Sequence, residues 1–102
     1  EMREKSIEEK LVGEVKRLGG MCPKFVSPGI DGMPDRIVLL KGGVIGFVEL
    51  KSSGKKARPL QLKRLMQLRS LGFKAYVIDD VKKIAPMLEE LMGGVSDAVR
   101  ST

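Results

Sequence analysis

Two apolar runs joined by a pair of glycines constrain this chain more than any other feature. "DRIVLL" (Asp35–Leu40) and "VIGFVELK" (Val44–Lys51) flank Lys41-Gly42-Gly43. Each run is too short for an ordinary helix and rich in β-branched residues, so the pair reads as an antiparallel hairpin. The strands do not alternate apolar with polar. They are apolar nearly throughout, which predicts a sheet covered on both faces. Helices packed on either side would supply that cover.

The remaining sequence supplies those helices. Ile7, Leu11, Val15 and Leu18, widened by Val12, recur at helical spacing, predicting a helix over Ser6–Leu18 that begins near Arg3 and stops at Gly19-Gly20. "MCPKFVS" is a Pro-interrupted strand suited to a sheet edge. "PGIDG" is a loop and "SSGKK" a flexible one. Pro59 opens a second helix to about Leu71, closed by Gly72. "FKAYVI" is a further strand. Asp79 or Asp80 caps a last helix through Leu91, which Pro86 kinks or restarts. The predicted order is α-β-β-β-α-β-α, an α/β fold with a mixed sheet flanked by helices. It forms one domain over residues 1–92, with a frayed tail over 93–102. A chain of 102 residues buries only roughly 65% of its unfolded surface. That thin core leads us to expect a two-fold homodimer.

Composition then narrows the chemistry. The chain has no histidine and one cysteine, Cys22, which excludes Ser-His-Asp and Cys-His catalysis and leaves almost no route to a zinc site. An unpaired thiol, no apolar h-region and no apolar run near ~18 residues predict a cytoplasmic protein with no membrane span. The net charge of +6 favours an anionic partner. Between Lys51 and Arg69 the chain carries Lys55, Lys56, Arg58, Lys63 and Arg64 with no acid among them, the footprint of nucleic acid. With one Tyr, three Phe and no Trp, base stacking on single strands is disfavoured against backbone-directed binding of duplex or branched DNA.

Against this basic background, acids stand at the ends of the apolar strands. If Gly42-Gly43 is a two-residue turn, Asp35 faces Leu50, and Asp35 and Glu49 point to opposite faces. If Lys41-Gly42-Gly43 is a three-residue loop, with Gly43 left-handed, Asp35 faces Glu49. Cross-strand Cβ atoms then lie about 5 Å apart, close enough to share a cation. Lys51 would point to the same face. Two oxygen ligands suit Mg²⁺ or Mn²⁺, and the lysine would hold an attacking water or offset charge in the transition state. Gln61 lies in line with Leu65 and Leu68, a polar group on an otherwise apolar stripe.

"GMPDR", "FVELK" and the Gln of the following helix, with "LGG", "KFVSPG" and "LGFKAYVID" in the same order, resemble the virus-type replication-repair nuclease (VRR-NUC) domain. That family is part of the PD-(D/E)xK nuclease superfamily, and the resemblance runs from about Ile7 to Asp80. It implies a restriction-endonuclease-like core and Mg²⁺-dependent hydrolysis of DNA phosphodiesters. It also implies metal ligands at Asp35, Glu49 and the backbone carbonyl of Leu50, a catalytic Lys51, and Gln61 near the site. The family places one further glutamate from the first helix at the metal. Glu8 is the choice here, aligned with Leu11, Val12 and Val15, and Glu4 is the runner-up one turn earlier.

Lys24 matches a basic residue of the family and is read as DNA-facing. Arg36 is read either as a phosphate contact or as a structural ion pair. The expected activity is a metal-dependent DNA endonuclease that selects shape, such as branched or junction DNA, and uses no small-molecule cofactor. The alternative is a catalytically silent nucleic-acid-binding module of the same fold.

Overall fold

The computed structural model describes residues 2–93. Helix α1 (Glu4–Arg17) is followed by the hairpin strands β1 (Arg36–Leu40) and β2 (Val44–Leu50). Helix α2 (Pro59–Ser70), strand β3 (Lys74–Ile78), a 3₁₀ turn (Val81–Lys83) and helix α3 (Ile84–Leu91) complete the order. The tail expected over 93–102 lies outside the described residues from position 94 onward.

The sheet runs β1-β2-β3, with β1 antiparallel and β3 parallel to the central β2. Leu40 pairs with Val44 and Arg36 with Val48, so the hairpin has the three-residue loop of the two registers considered. Gly42 and Gly43 both adopt left-handed backbone, at φ of 83° and 74°, where a Cβ would be strained.

Alternation along β2 sorts the core into two layers. Val48 and Leu50, with Val38, Leu40 and Ile78, pack against Ile7, Leu11 and Val15 of α1 and Ile84, Met87, Leu88 and Leu91 of α3. Phe47 and Ala75 turn the other way and meet Leu65 and Leu68 of α2. Both faces of β2 are thus covered, as its unbroken apolar run requires.

One expected strand is not regular. The Met21–Phe25 segment lies along the outer edge of β1 in two isolated bridges, Met21 to Leu39 and Lys24 to Arg36. Pro23 accepts from Ile37 N–H at 3.0 Å but has no N–H to return, so the ladder is interrupted and the observed order has three strands. The segment still covers edge groups that would otherwise be open to another chain.

Gly20 makes this crossing possible, because a Cβ there would stand 2.3 Å from the carbonyl oxygen of Leu39. Pro86 occupies the first turn of α3, where no N–H is required. The chain restarts at Ile84 after the 3₁₀ turn, which Asp80 caps by accepting from Lys82 N–H at 2.9 Å. The "SSGKK" loop, expected to be flexible, is tied to the chain start at two points. Met2 N–H donates to Ser53 Oγ at 2.7 Å, and Ser53 N–H donates to Met2 O at 3.0 Å.

Candidate active site

Continuing the hairpin register one step beyond Arg36 and Val48 brings Asp35 opposite Glu49. Both lie on the face that carries Phe47 and α2. Lys51, two residues past Glu49, shares that face. Asp35 Oδ2 accepts the N–H of Leu50 at 2.8 Å, and Lys51 Nζ lies 3.2 Å from Glu49 Oε2. Asp35, Glu49 and Lys51 are therefore brought together at one end of the sheet.

Glu49 is only 1% exposed, and its Oε1 has no hydrogen-bond partner. Burial, and then the neighbouring Asp35, push its carboxyl up to about 7, against the opposing pull of Lys51. A buried carboxylate oxygen without a partner costs on the order of 1–3 kcal/mol or more unless a proton or cation satisfies it. Here burial and a like charge act together.

Helix α1 brings its acids to different places. Glu8 lies on the same stripe as Leu11 and Val15, but that stripe packs on the sheet face opposite to Asp35 and Glu49. There it meets Arg36, whose Nε donates to Glu8 Oε2 at 2.9 Å and whose Nη1 donates to Cys22 O at 2.7 Å. Arg36 thus closes the structural ion pair of its two readings. Glu4, one turn earlier, is largely exposed but near enough to feel Asp35 and Lys51. Partial burial and the charge of Asp35 raise its carboxyl, and Lys51 opposes them. Glu49 feels Glu4 in turn.

Gln61 is half-buried at the third position of α2, and its Oε1 accepts the N–H of Arg58 at 2.8 Å. That is half of a capping box, since an arginine side chain cannot accept the return bond. Of the basic residues singled out, Lys24, Lys55, Lys56, Arg58 and Lys63 are exposed. Arg64 is held, with Nε donating to Asp31 O at 2.7 Å and Nη1 to Gln67 Oε1 at 3.0 Å. Arg64 therefore fastens the "PGIDG" loop to α2.

Among the described residues, no group of three or more Cys, Asp or Glu side chains forms a ready cage for a metal ion. Two carboxylates remain, Asp35 and the unpartnered Glu49. Such a donor set fits a hard divalent cation that takes its other ligands from backbone oxygens, water or substrate, and does not fit zinc.

Sequence reasoning missed the Ser53–Met2 tie and the Asp35–Leu50 bond. Both depend on backbone groups that no side-chain pattern announces.

A mixed sheet between helices, with two acids and a lysine at the open end of its hairpin, defines an α/β protein of nuclease type. No protein-family profile matches the chain. It is 48% identical over 87 residues to a protein of Acyrthosiphon pisum secondary endosymbiont phage 1 named "Putative nuclease p44", covering 83% of this chain and 94% of that protein. A solved structure described as a VRR_NUC domain superposes with a TM-score of 0.80 at 30% identity, over 87% of this chain and 97% of the other. The chain belongs to the VRR-NUC family of nucleases.

Proposed function

We propose that this nuclease is a divalent-metal-dependent DNA endonuclease that recognises DNA by shape and works as a two-fold homodimer. The observation that carries the reading is Glu49, a carboxylate sealed from water with one oxygen unpartnered, beside Asp35 and in contact with Lys51. A structural ion pair would satisfy both carboxylate oxygens, and this one leaves an acceptor aimed at nothing the protein provides.

In this reading Asp35, Glu49 and the backbone carbonyl of Leu50 hold Mg²⁺ or Mn²⁺. Glu4 is the contributor from α1 in place of Glu8, whose carboxylate Arg36 already occupies. Bound there, the cation supplies Lewis-acid polarisation of a phosphoryl oxygen and acidifies water. Lys51, only 14% exposed on its side chain, directs its ammonium at charge developing on the phosphate in the transition state. The Asp35–Leu50 bond holds one carboxylate oxygen in place, so the acid enters the reaction already oriented. The bond from Arg58 uses only the carbonyl of Gln61, which leaves the amide donors free to position a substrate oxygen or water.

Lys24, Lys55, Lys56, Arg58 and Lys63 supply sequence-independent phosphate contacts, which favours shape over sequence. One site cuts one strand, so a symmetric cut needs two copies.

The test is cleavage of supercoiled plasmid and of nicked, flapped, four-way and linear DNA with Mg²⁺ or Mn²⁺, against Ca²⁺ and EDTA. Cutting only with Mg²⁺ or Mn²⁺, and abolished by Lys51→Ala, is the expected result. Undiminished cleavage in EDTA would sink the metal reading. Sedimentation showing only monomer at working concentration would sink the dimer.

A further inference from the structure

A cleft beside the acids at the end of the sheet draws together the loop after β2 and the 3₁₀ turn after β3. The cleft, of about 300 Å³, is lined by the apolar Ala57, Leu62 and Val77 and by Lys55, Lys56, Lys83 and Asp79. Lys83 ends the 3₁₀ turn after β3, nearly thirty positions from the two lysines of the loop. Val77 is the register partner of Glu49 in the parallel pair β2·β3. Paired residues share a face on strands about 4.8 Å apart, so the cleft lies one strand over from the acids and is separated from them by Val77. Val77 itself packs into the α2 layer and forms a firm floor.

Three lysines line it with one carboxylate, Asp79, and the neighbouring Asp80 also attracts Lys83. Asp79 is 21% exposed on its side chain, and its Oδ1 lies 2.7 Å from Lys83 Nζ. The approach is an ion pair without hydrogen-bond geometry, so it steadies Lys83 by charge and leaves its ammonium donors for another acceptor. The loop is shaped as well. Gly54 takes left-handed backbone at φ of 76°, Lys55 N–H closes a turn onto Ser52 O at 3.0 Å, and Ser53 is tied to Met2. Three lysines beside a tied loop, against the two acids that act on Lys83, leave the cleft an excess of positive charge suited to a phosphate.

We infer that Lys83, together with Lys55 and Lys56, forms a phosphate subsite for the DNA backbone next to the scissile phosphate, with Asp79 as the positioning residue for Lys83. This rests on the DNA-nuclease reading above and deepens it. The subsite holds a flanking phosphate of the same substrate and takes no part in bond breaking. Its position on the α2 face, beside Glu49 and not around the far side of the sheet, sets the direction in which the strand leaves the acids.

The experiment is salt-dependent binding of a fluorescent duplex by anisotropy in EDTA, where the metal-dependent reaction is off, paired with single-turnover cleavage in Mg²⁺. Lys83→Ala and Lys83→Gln are compared with Lys16→Ala, which removes the same charge from an exposed position on α1. Loss of one phosphate contact lowers the slope of log K against log salt by about 0.9 and weakens binding by roughly three- to tenfold at moderate salt. Lys83→Arg restores both, and Lys16→Ala leaves both unchanged. Wild-type slope and affinity in the Lys83 variants, with a wild-type protein that binds and cuts, would overturn the subsite and leave the nuclease reading standing. A wild-type protein that binds no duplex even at low salt would overturn both together.

Discussion

The carboxylate of Asp35 accepts the backbone N–H of Leu50 at 2.8 Å, reaching across the hairpin to the residue after Glu49. One side chain therefore fastens the strand ends and lends its charge to the site. Its two duties separate by substitution. Asp35→Asn keeps an acceptor for Leu50 and folds with near wild-type stability, whereas Asp35→Ala loses the bond and about 1 kcal/mol. Both lose cleavage by roughly a hundredfold or more, the order expected for removing a preorganised electrostatic contact. Urea melts and plasmid cleavage read the two effects apart. Asp35→Asn cutting at the wild-type rate would remove Asp35 from the site.

Glu49 links stability to pH. Its carboxyl rises from the ordinary 4.5 to about 7 through burial first and Asp35 second. Between those values the folded chain holds a proton that the unfolded chain has released. Stability is therefore full below about 4.5 and declines as pH rises through 7, by an amount on the order of 3 kcal/mol. Thermal melts in EDTA at pH 5, 6.5 and 8 should show the decline. Glu49→Gln should flatten it and melt higher than wild type at pH 8 while losing cleavage.

Divalent cation should reverse that decline. A ligand bound only by the folded state at a hundred times its Kd adds about 2.7 kcal/mol. Mg²⁺ or Mn²⁺ at pH 8 is expected to raise the melting temperature of the wild type and to leave Glu49→Gln and Asp35→Asn unmoved. An equal shift in all three would locate the ion elsewhere.

The two glutamates of α1 should fail in different ways. Glu8→Gln weakens a partly buried charged pair with Arg36 and lowers stability by about 1–2 kcal/mol, with little change in the metal concentration needed for half-maximal cleavage. Glu4→Gln leaves stability nearly unchanged and raises that concentration several-fold. Metal titrations and urea melts on the same two variants decide the assignment, and the reverse pattern would return the role to Glu8.

Much of the architecture was legible in the chain. The unbroken apolar runs of β1 and β2 demanded cover on both faces, and the helices that provide it announced themselves by Ile7-Leu11-Val15 and by Pro59 and Gly72. The Met21–Phe25 segment was harder, because a strand needs a donor at every second position and Pro23 withholds one. The apolar pattern of the hairpin fits two loops, and the pairing of Leu40 with Val44 selects the three-residue one. That one-residue difference decides whether Asp35 and Glu49 share a face.

What the linear chain determined by itself was composition-bound. The absence of histidine, the excess of lysine and arginine, and acids at the ends of apolar strands limit the chemistry whatever the packing. What only the tertiary structure decided was which groups meet. Glu8 lies on the apolar stripe of its helix, but that stripe covers the other face of the sheet, so its carboxylate is held by Arg36. Lys83 comes beside Lys55 and Lys56 only because β3 pairs with β2. Periodicity describes one element at a time, whereas the distance between charges on different elements is set by how their faces pack.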